Sequence, residues 1–176
     1  MKRVIPILVT LSLVLPVAFA LAGEMEHQHA AMGASALDPL KKLAGEWTGK
    51  AGHGDQKMDA TVTYHVTANG SAVVETLFPG SEHEMVTVYT VEKGTLVLTH
   101  YCAAGNQPRM KAAKAGGANG LKFDFAGGAN ISPGKDMFMH DLKLSFADDD
   151  HLRGEWSQWK DGKPAELMVF DLERKK

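Results

Sequence analysis

"DATVTYHVTANGSAVVETLF", residues 59–78, decides the fold. In its first half Ala60, Val62, Tyr64 and Val66 alternate with Asp59, Thr61, Thr63, His65 and Thr67. Successive side chains of an extended chain point to opposite faces, so this alternation predicts a strand with one dry face and one wet face. Asn69-Gly70 then tolerates positive φ, and a second β-prone run follows at 71–78. That order is the signature of a tight antiparallel hairpin.

The same grammar extends in both directions. Ten strands are predicted, at about 45–51, 58–68, 71–78, 84–92, 95–103, 107–114, 120–127, 137–147, 151–160 and 164–173. Lys93-Gly94, Asn119-Gly120, Asp148-Asp149-Asp150 and Asp161-Gly162 punctuate them. In the eighth run Phe138, His140, Leu142, Leu144 and Phe146 share one face, with Met139, Asp141, Lys143 and Ser145 opposite. One short helix precedes the strands in "LDPLKKLAG", 37–45, with Asp38 as cap, Pro39 in the first turn and Gly45 past the end. Amphipathic strands in meander order are best closed on themselves, because closure removes exposed edges. The expectation is an all-β, about ten-stranded antiparallel up-and-down β-barrel with one short N-terminal helix; a β-sandwich is the alternative. A barrel this wide has more interior than side chains easily fill, so it tends to hold a cavity.

Composition sets the compartment and narrows the partners. With 176 residues, 44% of them hydrophobic, the chain suffices for one domain with a substantial core. Lys2 and Arg3 lead into an apolar run from Val4 to Leu21, interrupted by Pro6 and Pro16 and ending in Ala18-Phe19-Ala20 and Ala20-Leu21-Ala22. Residues 1–22 read as a secretory signal peptide cleaved after Ala20 or Ala22, which implies a periplasmic or secreted protein with no membrane segment after cleavage. No cysteine lies there to carry a lipid. Removing Lys2 and Arg3 from 19 basic and 21 acidic residues leaves a formal charge of −4, which argues against a nucleic-acid partner. A single cysteine, Cys102, rules out an internal disulfide. Residues 23–36, "GEMEHQHAAMGASA", lack periodicity and read as a flexible tether. There His27, His29, Met25 and Met32 offer donors for a soft metal such as copper, or form a plain solvated tail. The barrel domain is then 37–176.

"LAGEWTGKAG", residues 43–52, resembles the Gly-x-Trp motif of the calycins, here Gly45 and Trp47 with Gly49 continuing it. The resemblance implies that a short helix leads into the first strand and that the tryptophan closes one end of the barrel. With about ten strands the chain is similar to the fatty-acid-binding-protein and nitrobindin side of that superfamily. More closely, "LTHYCAAGNQPRM" (98–110), "MFMHDLKLSF" (137–146) and "DDDHLRGEWSQWKDGKP" (148–164) resemble a family of exported bacterial, lipocalin-related barrels of unestablished function. Relatives often read His-Met-His in the second segment; Phe138 departs from this and only His140 matches, which weakens a paired-histidine metal site. Nitrobindin-like heme binding calls for a histidine near the end of the last strand, and "AELMVFDLERKK", 165–176, has none.

The candidate site follows from faces. In "TLVLTHYC", 95–102, Leu96, Leu98, His100 and Cys102 lie together, so His100 is expected to point inward. His140 sits among Phe138, Leu142 and Leu144, so two histidines are expected to face one cavity. Burial lowers a histidine's pKa and leaves it a neutral ligand or base; the alternative is a core histidine satisfied by a hydroxyl, carbonyl or water. His100, Cys102 and His140 form a candidate zinc or copper set, or Cys102 is simply a small hydrophobe. Asn106, Gln107 and Arg109 either line the cavity mouth, the guanidinium gripping a carboxylate or phosphate, or close the turn structurally. Trp156 and Trp159 fall on opposite faces, and Trp156, with Leu152, is assigned inward. The loop 127–136, "GGANISPGKD", reads as a lid or as plain surface.

These readings converge on an exported barrel that binds a small, mostly apolar molecule with a polar or anionic head group. Two alternatives stand beside it: a metal-dependent or acid–base enzyme using His100, Cys102 and His140, and a structural barrel without a ligand.

Overall fold

A computed structural model describes residues 36–113 and 120–176. The assigned signal peptide, 1–22, and all of the tether except Ala36 lie outside the described residues. A four-residue helix, α1 (Asp38–Lys41), precedes ten strands: β1 (Gly45–His53), β2 (Gln56–Thr67), β3 (Ala72–Leu77), β4 (Met85–Glu92), β5 (Thr95–Tyr101), β6 (Gln107–Ala112), β7 (Gly120–Ala129), β8 (Phe138–Phe146), β9 (His151–Lys160) and β10 (Lys163–Arg174). Each strand pairs with its chain neighbours, and β1 pairs antiparallel with β10, so the meander closes into a barrel. The fold predicted from alternation is the one observed.

Close approach of backbones dictates one residue in this seam. A Cβ on Gly49 would lie 2.0 Å from the Asp171 carbonyl oxygen of β10, so a side chain there would force the two strands apart. In β2 Ala60, Val62 and Tyr64 are buried as their spacing requires.

One end of the barrel is sealed. Leu37, Leu40 and Leu43, on and beside α1, are buried over Trp47 of β1, whose indole Nε1 donates to the Leu43 carbonyl at 2.8 Å. The Arg174 guanidinium lies 4.3 Å over the Trp47 ring and donates to the carbonyls of Lys42 and Ala44 at 2.8 and 3.0 Å. The last strand is thereby tied to the helix that precedes the first. Asp38 sits inside the first turn, 3.6 Å from Lys41, and does not cap the helix as expected; Leu37 holds the cap position without a side-chain bond.

Among the described residues three irregularities interrupt the ladders, between Pro108 and Met110, Met139 and Asp141, and Pro164 and Glu166. The second one reshapes the site.

Candidate functional site

At the end opposite Trp47 the barrel opens into a cavity of about 560 Å³. Hairpin ends form its rim, contributing Ala51, His53 and Lys57 from β1 and β2, Phe78 and His83 from the β3–β4 connection, and Cys102 to Ala104 after β5. Met85, Met139, Gln158 and Met168 reach into it from β4, β8, β9 and β10. Five of the six methionines among the described residues line this one cavity: Met58, Met85, Met137, Met139 and Met168. Methionine is flexible and polarizable, so such a wall adapts to irregular apolar shapes.

A buried polar row that the sequence reading missed crosses the wall from Tyr64, opposite Gly45 of β1, to His100, two residues from Cys102 at the mouth. Tyr64 of β2 stands opposite Glu75 of β3, Glu75 opposite Thr87 of β4, and Thr87 opposite His100 of β5. Val86 pairs with Tyr101 just above, so the next inward pair, Met85 and Cys102, belongs to the cavity wall. The row is hydrogen-bonded throughout. The hydroxyls of Tyr64 and Tyr89 donate to the two carboxylate oxygens of Glu75 at 2.6 and 2.9 Å, and Thr87 is a further partner of that carboxylate. Burial raises the Glu75 pKa, opposed by these donors, and holds both tyrosines well above their ordinary range. The signal was a glutamate on the face of Val73 and Leu77, where a lone carboxylate would be costly without donors nearby.

His100 points inward as expected and is fully buried. Its ring packs 4.7 Å from Trp156, and Nδ1 lies 3.0 Å from Thr87 Oγ1. Burial lowers its pKa to about 4, so it is neutral at physiological pH. With the Thr87 hydroxyl turned to Glu75, His100 Nδ1–H donates to Oγ1 and Nε2 keeps a bare lone pair. That Nε2 is buried and has no protein partner.

His140 does not join it, and the reason is the β8 irregularity. Met139 pairs with Gln158 and Asp141 with Ser157, so His140 is an extra residue that shifts the alternation by one. Met139 turns inward in the place expected for Phe138, which pairs with Trp159 on the other face. His140 stacks on Trp159 at 3.8 Å and on Phe125 at 5.0 Å, apart from the inner core. Its Nδ1 is 2.9 Å from Asp141 Oδ2, although not aligned for a hydrogen bond. The expected convergence of two histidines is therefore corrected. Among the described residues no group of three or more His, Cys, Asp or Glu could hold a metal, so the set His100, Cys102 and His140 is not assembled.

The other assigned residues divide similarly. Cys102 lines the cavity, with its thiol pKa raised by burial. Trp156 is buried in the core below it. Arg109 leaves the cavity and pairs with Glu92. The Asn106 side-chain amide donates to the Met137 carbonyl at 2.8 Å while the Asn106 backbone carbonyl accepts from Cys102 N–H at 3.0 Å, which fastens two parts of the rim together. Gln107 donates to the Gly105 carbonyl and accepts from Asn130. The Asn-Gln pair thus closes the turn and holds the loop before β8.

By sequence the chain matches no protein-family model and no curated protein. The architecture does have a solved counterpart. This chain is similar in fold to Rv2717c. The match to the crystal structure of Rv2717c from M. tuberculosis has a TM-score of 0.55 at 15% sequence identity, over 80% of this chain and 98% of that one. At that identity the likeness carries the barrel and no chemistry.

Proposed function

We propose that the protein is an exported, calycin-like barrel that binds a small, mostly apolar molecule in the cavity opposite Trp47. One observation carries the reading: a closed barrel sealed at one end opens at the other into about 560 Å³ walled largely by methionine and alanine. That volume falls within the range of small-molecule sites. A polar or anionic head group would rest at the mouth, where His53 and Gln158 supply contacts; the Lys57 ammonium is engaged by Asp171 at 3.2 Å. Arg109 is not part of that rim. The export reading rests on residues 1–22, and fractionation of cells expressing the full chain tests it: a cytoplasmic, unprocessed protein would overturn it.

The binding test uses a fluorescent apolar anion, anilinonaphthalene sulfonate, and an Ala104→Trp variant that fills the mouth without touching the core. Saturable fluorescence gain in the wild type, its loss in the variant, and displacement by dodecanoate are expected. Equal binding by both proteins would refute the site. Displacement by dodecanol as strongly as by dodecanoate would remove the anionic head group alone.

A further inference from the structure

The walls of the mouth carry a second, independent chemistry. Thioethers of Met85, Met139 and Met168, the thiol of Cys102 and the imidazoles of His53 and His83 surround one space, and no aspartate or glutamate lines it among the described residues. We propose that this cavity binds a soft monovalent cation, copper(I), on the thioethers of Met85, Met139 and Met168, with Cys102 beside them. The donor complement selects the ion. Calcium and magnesium need several oxygen ligands, and carboxylates are missing here. Zinc is held by thiolate, imidazole or carboxylate, whereas uncharged thioether sulfur suits copper(I).

The sulfur donors come from both walls of the cavity. Met85 and Cys102 extend the partnership of Val86 with Tyr101 on one side of the barrel. Met139 pairs with Gln158 and Met168 with Trp156 on the strands across from them. Met139 is inward only because of the extra residue at His140, so the irregularity that removes a histidine from the interior supplies a sulfur in its place. Three unbranched side chains thus line one cavity from β4, β8 and β10, and each is flexible enough to swing its sulfur within it. Neutral thioethers bind without losing a proton, so the site would not compete with acid as a thiolate or imidazole site does.

The inference does not require the apolar-ligand reading, and the dye titration above succeeds or fails separately. Its test is anaerobic titration of the full chain with copper(I) buffered by bicinchoninate. One ion per chain is expected, with a sulfur-dominated shell by X-ray absorption. Met85→Leu, Met139→Leu and Met168→Leu, which keep side-chain volume, should each weaken binding about tenfold or more, and the affinity should change less than about threefold from pH 7 to pH 5. Folding of each variant is checked by circular dichroism. Should a single leucine variant unfold, the wild-type absorption spectrum and pH profile decide alone. Three results overturn the proposal: unchanged binding in folded leucine variants, a nitrogen-dominated shell with a steep acid loss, or abolition of binding when Met25, His27, His29 and Met32 are changed to serine.

Discussion

The two ends of the barrel solve opposite problems with similar materials. At the sealed end, rigid groups interlock: an indole, three leucines and a guanidinium each of whose nitrogens donates to a carbonyl. At the open end, flexible thioethers and alanines surround space, and two rim methionines, Met58 and Met137, stand exposed. The difference teaches where this chain places stability and where it leaves freedom. Dense packing in fixed rotamers resists substitution, and loosely held unbranched chains accept it.

The comparison breaks most visibly at Trp47. Trp47→Ala removes a fully buried indole, its hydrogen bond and the surface on which Arg174 rests. A loss of about 3–5 kcal/mol in denaturant unfolding is expected; a loss under about 1 kcal/mol would mean the end is not sealed by this ring.

Next in size is the acid response of the row between the two ends. Folded His100 has a pKa of about 4 against 6.5 for an exposed histidine, so the unfolded chain takes up its proton first. Its contribution is fully present above about pH 6.5 and declines as pH falls towards 4, by about 3 kcal/mol in total. Glu75, joined through Thr87, has a raised pKa and acts with the opposite sign, lending stability at low pH that is lost as pH rises through its folded pKa. The wild-type minus His100→Gln difference in unfolding free energy isolates the histidine. A flat difference across that window would show that His100 is hydrated.

Tyr64→Phe sharpens the same region. It leaves Glu75 short of one donor in a buried site, and a cost of about 1–3 kcal/mol is expected from paired unfolding curves. The smallest change belongs to the mouth: Met139→Leu should alter stability by less than about 1.5 kcal/mol. A larger loss would mean that the open end is packed as tightly as the sealed one.

The barrel was legible because alternation is a local signal, repeated ten times with turn residues between repeats. Closure followed from the need to hide edges. Inward placement of His100 and Trp156 followed from the same two-residue period, as did the separation of Trp156 from Trp159. At His140 that period misled. One extra residue puts Phe138 and His140 on the face opposite to Leu142 and Leu144, and nothing in "FMHDL" marks where it is inserted. For Arg109 and the Asn106–Gln107 pair the sequence leaves two outcomes open, and the choice depends on Glu92, Asn130 and Met137, none of which local spacing brings near. The methionines stayed hidden for a related reason. Each stands singly in its strand, and only closure brings Met85, Met139 and Met168 round one space.

Arg174 reaches back across 130 residues to Ala44, and β10 supplies the partner that β1 otherwise lacks. A polypeptide made from its N-terminus therefore emerges with one edge of its first strand unpaired until the last strand is free. Assembly is a long-range, all-or-nothing event of the slow kind, and a protein shortened by even its last few positions would lose the latch that turns a curling ribbon into a ring.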